Sequence, residues 1–140
     1  MQAQALNCRN DQYGFERWLT EGMALRVAGQ DLPAKSDVTG LQALFSGGTP
    51  FDDINSRTFP DFNRYPAYRL SYDTFLGVAG KTDADVHNFL KNYGSTVGCP
   101  VTPFLLTGWK AQFDAYFGTG LRGTGALGST FWTVSPAYAK

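Results

Sequence analysis

Histidine is nearly missing from this chain: His87 is the only one in 140 residues. That excludes any metal site built from several imidazoles and leaves a Ser/His/Asp triad dependent on one position. Asp83 and Lys91 stand one helical turn to either side of His87, opposite an apolar face, so a solvated polar stripe accounts for it. Glutamate is almost as scarce. Glu16 and Glu21 are five residues apart, which on a helix turns them away from one another and not toward a shared substrate. Cys8 and Cys99 are too far apart in sequence for a paired-thiolate metal motif, and they form either one long-range disulfide or two free thiols. The composition therefore implies neither a metal nor a cofactor.

Charge of either sign is also thin. Twelve basic and twelve acidic residues cancel to zero, and neither forms a block. Nucleic-acid binding by phosphate neutralisation needs a basic excess, so it is not expected, and the same holds for an anionic membrane surface. No apolar run is long enough to cross a bilayer. The opening Met1-Gln2-Ala3-Gln4-Ala5 is too polar for a signal peptide. Low charge with many aromatic, glycine and small polar residues favours an extracellular, periplasmic or virion setting over the cytoplasm.

What is plentiful is aromatic and glycine: 11 phenylalanines, seven tyrosines, three tryptophans and 16 glycines. The length suits one domain with a core of its own. Phe15, Trp18, Leu19, Met23 and Val27 recur at helical spacing, with Asn10 or Asp11 as N-cap and Gly29 as stop. Gly14 and Gly22 weaken that helix. Val38, Leu41, Leu44 and Phe45 form a second helix ended by Gly47-Gly48. Residues 49–67, interrupted by Pro50, Pro60 and Pro66, read as irregular but ring-rich, and Asp52, Asp53 and Asn55 there favour turns. From Tyr68 to Ala79 a strand-like alternation competes with a helical period, and the helix is preferred. Val86, Phe89, Leu90 and Tyr93 give the next helix, capped by Thr82 or Asp83 and closed by Gly94. Thr102-Pro103 opens the last, with Leu105, Leu106, Trp109, Phe113, Tyr116 and Phe117 inward and Gly118 as its end.

Two overlapping GxGxxG matches follow, Gly118–Gly123 and Gly123–Gly128. A dinucleotide loop needs a strand before the glycines and a helix after them. Here a helix precedes and a strand-like run, Ser129 to Val134, follows, so the match arises from the near repeat GTGLR, GTGAL.

The sequence thus predicts a mainly α fold. It is a small single domain of four to five short amphipathic helices with long irregular loops, covering 1–117. A Gly-rich extended C-terminal arm, 118–140, ends in a short strand and packs on the same domain or on a neighbouring subunit. Rings interleaved with arginine (Phe59, Phe62, Arg64, Tyr65, Tyr68 and Arg69) and the arm's Phe131, Trp132 and Tyr138 have the composition of a protein-contact surface. The expected role is a non-enzymatic structural or interaction protein. Such a protein would be a subunit of a virion or of a secreted or cell-surface assembly, meeting a protein partner or its own copies. A small secreted domain that binds or cleaves glycans, of the peptidoglycan-hydrolase kind, is the alternative. It would draw on Glu21, the aspartates and the tryptophans.

Overall fold

Trp18, Leu19 and Met23 line the inner side of α1 (Arg17–Val27) in the computed structural model, which describes residues 16–52, 62–97 and 106–140. Glu16 caps α1 in extended backbone, and Arg26 in the last turn faces the negative end of the helix dipole. Gly29 follows at φ 72°, as the stop signal predicts. A 3-10 turn, Lys35–Asp37, leads into α2 (Val38–Ala43), which buries Val38 and Leu41, with Phe45 just beyond it. The proposed starts of the first and last helices, Asn10 or Asp11 and Thr102-Pro103, lie outside the described residues, as do Cys8 and Cys99.

The central element is α3 (Tyr65–Ala79). It begins earlier than the sequence suggests. Pro66 sits in its first turn, where the missing N–H removes no helical bond, so this proline opens a helix and does not interrupt one. Ala67, Tyr68, Leu70, Ser71, Tyr72, Thr74, Phe75 and Leu76 are all buried, leaving little of the helix in water. A helix buried almost all round carries no clean period, which explains the strand-like alternation. Gly80 ends it in the left-handed region at φ 62°.

α4 (Asp83–Val97) starts at a reciprocal cap. The Thr82 N–H donates to Asp85 Oδ2 at 2.8 Å, and the Asp85 N–H donates to Thr82 Oγ1 at 3.4 Å. The Thr82 N–H and the Thr82 hydroxyl, which donates to the same oxygen at 3.0 Å, hold the Asp85 carboxyl below its ordinary range. Gly94 does not close this helix, which runs on to Val97. α5 (Leu106–Phe117) ends at Gly118, whose φ of 112° few other residues adopt.

The core is a cluster of rings around Trp18. Phe51, Phe75 and Phe113 stand 4.4, 5.5 and 5.9 Å from its indole centroid, inclined or edge-on. α1 lies along α3 because Gly22 has no side chain. A Cβ there would come within 2.5 Å of the Tyr68 carbonyl oxygen and 2.7 Å of Tyr72 Cβ. The glycine that weakens α1 as an isolated helix is what lets the pair close.

Two features of the C-terminal segment depart from expectation. It is not extended, and Ser129–Val134 is not a strand. Residues 118–130 coil into successive turns, with Leu127 N–H donating to Leu121 C=O at 2.6 Å and Ser129 N–H to Gly123 C=O at 2.8 Å. The near repeat is structural. Gly125 and Gly128 each lie against the carbonyl five residues back, of Gly120 and Gly123, leaving no room for a Cβ. The predicted strand is instead α6 (Phe131–Val134), followed by a 3-10 turn, Ser135–Tyr138. Among the described residues no strand lies beside it to take its backbone bonds, and the short apolar run satisfies them locally. The described residues form a mainly helical single domain of six α-helices, with no strand among them.

This segment is a strap over its own chain. Leu127 and Phe131 enter the core fully buried, Phe131 with its ring 5.3 Å from Phe51. The Tyr138 ring covers Gly77 of α3. The last residue is tied by two backbone bonds, Lys140 N–H to Pro33 C=O at 2.9 Å and Lys35 N–H to Lys140 C=O at 3.2 Å.

Candidate functional site

Two clusters gather most of the converging charge, and both build the fold. In the first, the Arg122 guanidinium grips the Glu16 carboxylate with both terminal nitrogens, at 2.8 and 3.1 Å. The Trp18 indole N–H donates to the same carboxylate. Glu16 is only 6% exposed, and Arg122 also lies over the Phe113 ring, 5.6 Å from its centroid. A buried carboxylate needs this kind of partner, and a planar fork matches it better than a lysine would. Glu16 is thereby committed to joining the strap to α1.

The second cluster joins α1, α3 and the start of α4. Asp73 is held by Arg26 and by Arg69, the latter at 3.0 Å. Asp83 accepts from Arg26 Nε at 3.1 Å and from the Tyr72 hydroxyl at 2.7 Å. Burial raises the Asp73 carboxyl above its ordinary range, outweighing the pull of Arg69 and Arg26. Burial, then the Asp83 carboxylate, raises the Tyr72 phenol well above the usual tyrosine range. Asp83 therefore faces Tyr72 and Arg26, while His87 one turn later is exposed. No group of three His, Cys, Asp or Glu side chains is placed to hold a metal among the described residues.

The rings and arginines singled out in the sequence have different surroundings. Tyr68 and Phe131 are fully buried in the core, and the strap and core cover them within this chain. Arg69 is 9% exposed and bonded through Nη1 to the Gln30 carbonyl at 3.0 Å, while Arg64 lies over the Phe45 ring at 5.0 Å. Trp132 and Tyr138 are half-buried. Phe59 lies outside the described residues.

Phe62 and Tyr65 stand together. Phe62 is 72% exposed, the most of any large apolar side chain among the described residues, and meets the Tyr65 ring edge-on at 5.3 Å. The two border a groove of about 450 Å³ that continues over Pro66 to Leu25, with Arg69, Gln30 and Asp31 at its polar side. Leu25, Gln30 and Asp31 come from the end of α1 and the turn after it. No sequence signal marks them, because the groove exists only once α1 and α3 are packed together.

Comparison with family models, with curated proteins and with solved structures gives no match to this chain. No helix among the described residues is long and apolar enough to cross a membrane.

Proposed function

We propose that this chain is a non-enzymatic structural and interaction protein, a subunit of a larger assembly of the virion, secreted or cell-surface kind. It meets its neighbour through the Phe62–Tyr65–Pro66 groove. The exposed Phe62 ring carries the reading. A phenylalanine left in water forgoes about 1.5–3 kcal/mol of burial. Here it stands beside a tyrosine and an arginine, the residue types that dominate binding hot spots. The converging carboxylates favour the same reading, since Glu16, Asp73 and Asp83 are spent on arginine and tyrosine partners inside the fold. Low charge and zero net charge suit a protein that packs closely against its neighbours.

Closed assemblies of identical chains are the commonest form of association, so the neighbour assigned here is a second copy. Sedimentation velocity across a concentration series, up to roughly 1 mM, tests this. The expected result is concentration-dependent self-association that Phe62→Asp abolishes without loss of helicity. A wild-type chain that stays monomeric throughout, or a Phe62→Asp chain that associates equally well, overturns it.

A further inference from the structure

A second groove, sharing no residue with the first, runs between the turn after α2 and the strap. We infer that it is a binding site for a neutral saccharide. Its volume is about 520 Å³, within the ordinary range for small-ligand sites. One wall is Trp132, half-buried and fixed by its neighbours. Its ring packs against Phe131 at 4.7 Å and Phe45 at 5.9 Å, and its indole N–H donates to the Gly48 carbonyl at 3.0 Å. With the N–H spent, what the indole presents to a ligand is apolar ring surface in a preset orientation.

The rest of the lining has a consistent chemistry. Ser46, Thr49 and Ser129 bring hydroxyls and Gln42 brings an amide, each able to donate and to accept. Ala43 and the Gly47-Gly48 turn complete it, and no lining side chain carries a charge. A phosphate, a carboxylate or an ammonium group would lose water here with no countercharge to meet it. A purely apolar ligand would cover the Ser46 and Ser129 hydroxyls and the Gln42 amide without bonding to them. A sugar ring satisfies both sides. Its C–H face lies on an indole, whose negative π-surface attracts polarised hydrogens, and its equatorial hydroxyls reach short alcohol and amide side chains. The Phe62 groove differs on this point, because Arg69 and Asp31 line it.

The test is a titration of the isotope-labelled full chain with maltotetraose, cellotetraose and chitotetraose, each to about 10 mM, followed by amide and indole N–H resonances. At least one of the three is expected to move the Trp132 indole signal along a saturable curve while the buried Trp18 indole stays in place. Ala43 is exposed on α2, so Ala43→Arg places a charged side chain across the groove without entering the core. It is expected to weaken binding at least about tenfold. Trp132→Ala is expected to remove the response of the amides at 46–49 and 129. Three outcomes overturn the inference: none of the three sugars moves the Trp132 signal, Ala43→Arg binds as the wild type does, or adenosine or an oligogalacturonate binds where the neutral sugars do not. Self-association through the Phe62 groove is read separately by sedimentation, so either proposal can fail while the other stands.

Discussion

The helical body and the C-terminal strap are held by opposite means. In the body, α1 and α3 meet over large rings, with Gly22 allowing backbone and side chain of α3 to come close. The strap has few large side chains, and five of its residues are glycines at 118, 120, 123, 125 and 128. Ordering glycine is entropically expensive, so the strap depends on a few strong anchors spaced along it. These are the Arg122–Glu16 fork, Leu127 and Phe131 in the core, the Trp132–Gly48 bond, Tyr138 on Gly77, and the backbone pairing at Lys140. Many small contacts make the body tolerant of single losses, whereas a strap hung from few points is sensitive to each.

The largest effect is expected where strap and body share a buried charge. Arg122→Met removes the guanidinium from a carboxylate that is 6% exposed and is expected to cost about 3–5 kcal/mol, read from the denaturant midpoint. Adding Glu16→Gln to the same chain is expected to recover part of that loss. If Arg122→Met unfolds at the wild-type midpoint, the strap is not held by this pair.

A smaller effect separates the two regions through glycine. Gly22→Ala drives a methyl group into the Tyr68 carbonyl and Tyr72 Cβ, one of them backbone, and is expected to cost about 1–3 kcal/mol over the whole unfolding transition. Gly77→Ala instead meets the Tyr138 ring, a side chain that is able to swing aside. The gain in helix propensity, about 1 kcal/mol, offsets much of its cost. Hydrogen exchange is expected to quicken only across 131–140 in that variant. A global loss of protection in Gly77→Ala would mean that strap and body unfold as one unit.

The smallest effect concerns pH and belongs to the body alone. The Tyr72 phenol is raised above the ordinary 10.0, first by burial and then by Asp83. The folded chain thus keeps a proton that the unfolded chain gives up from about pH 10. Stability from Tyr72 is fully present below pH 10 and is lost as pH rises beyond it toward the higher folded value. The gap between wild type and Tyr72→Phe, followed by chemical unfolding, is expected to hold steady near neutrality and shrink above pH 10. A gap that widens with pH would contradict the assigned environment.

The body was far more legible in the sequence than the strap. Helical spacing, Thr82 as a cap and the stops at Gly29 and Gly118 are local signals, and each appears at its expected place, with Asp85 as the cap's second half found only in the structure. Local signals failed where tertiary contact decides. Pro66 reads as a breaker unless the helix is seen to begin beside it. Phe131-Trp132-Thr133-Val134 has the residue types of a strand and becomes a helical turn, with no strand alongside it among the described residues. The Glu16–Arg122 pair spans 106 positions, and nothing near either residue announces the other. Both grooves were hidden for the same reason, since each takes its walls from segments distant in the chain.

Trp18 has a further consequence as a reporter. Its indole lies among rings of the body, but its N–H points at the carboxylate that Arg122 of the strap holds. Release of the strap would take the Arg122 guanidinium away from that carboxylate and change the charge balance beside the indole. The indole proton frequency of Trp18 therefore registers strap detachment from within the body. An event at the C-terminal end of the chain can thus be followed at a single resonance of a residue near its beginning.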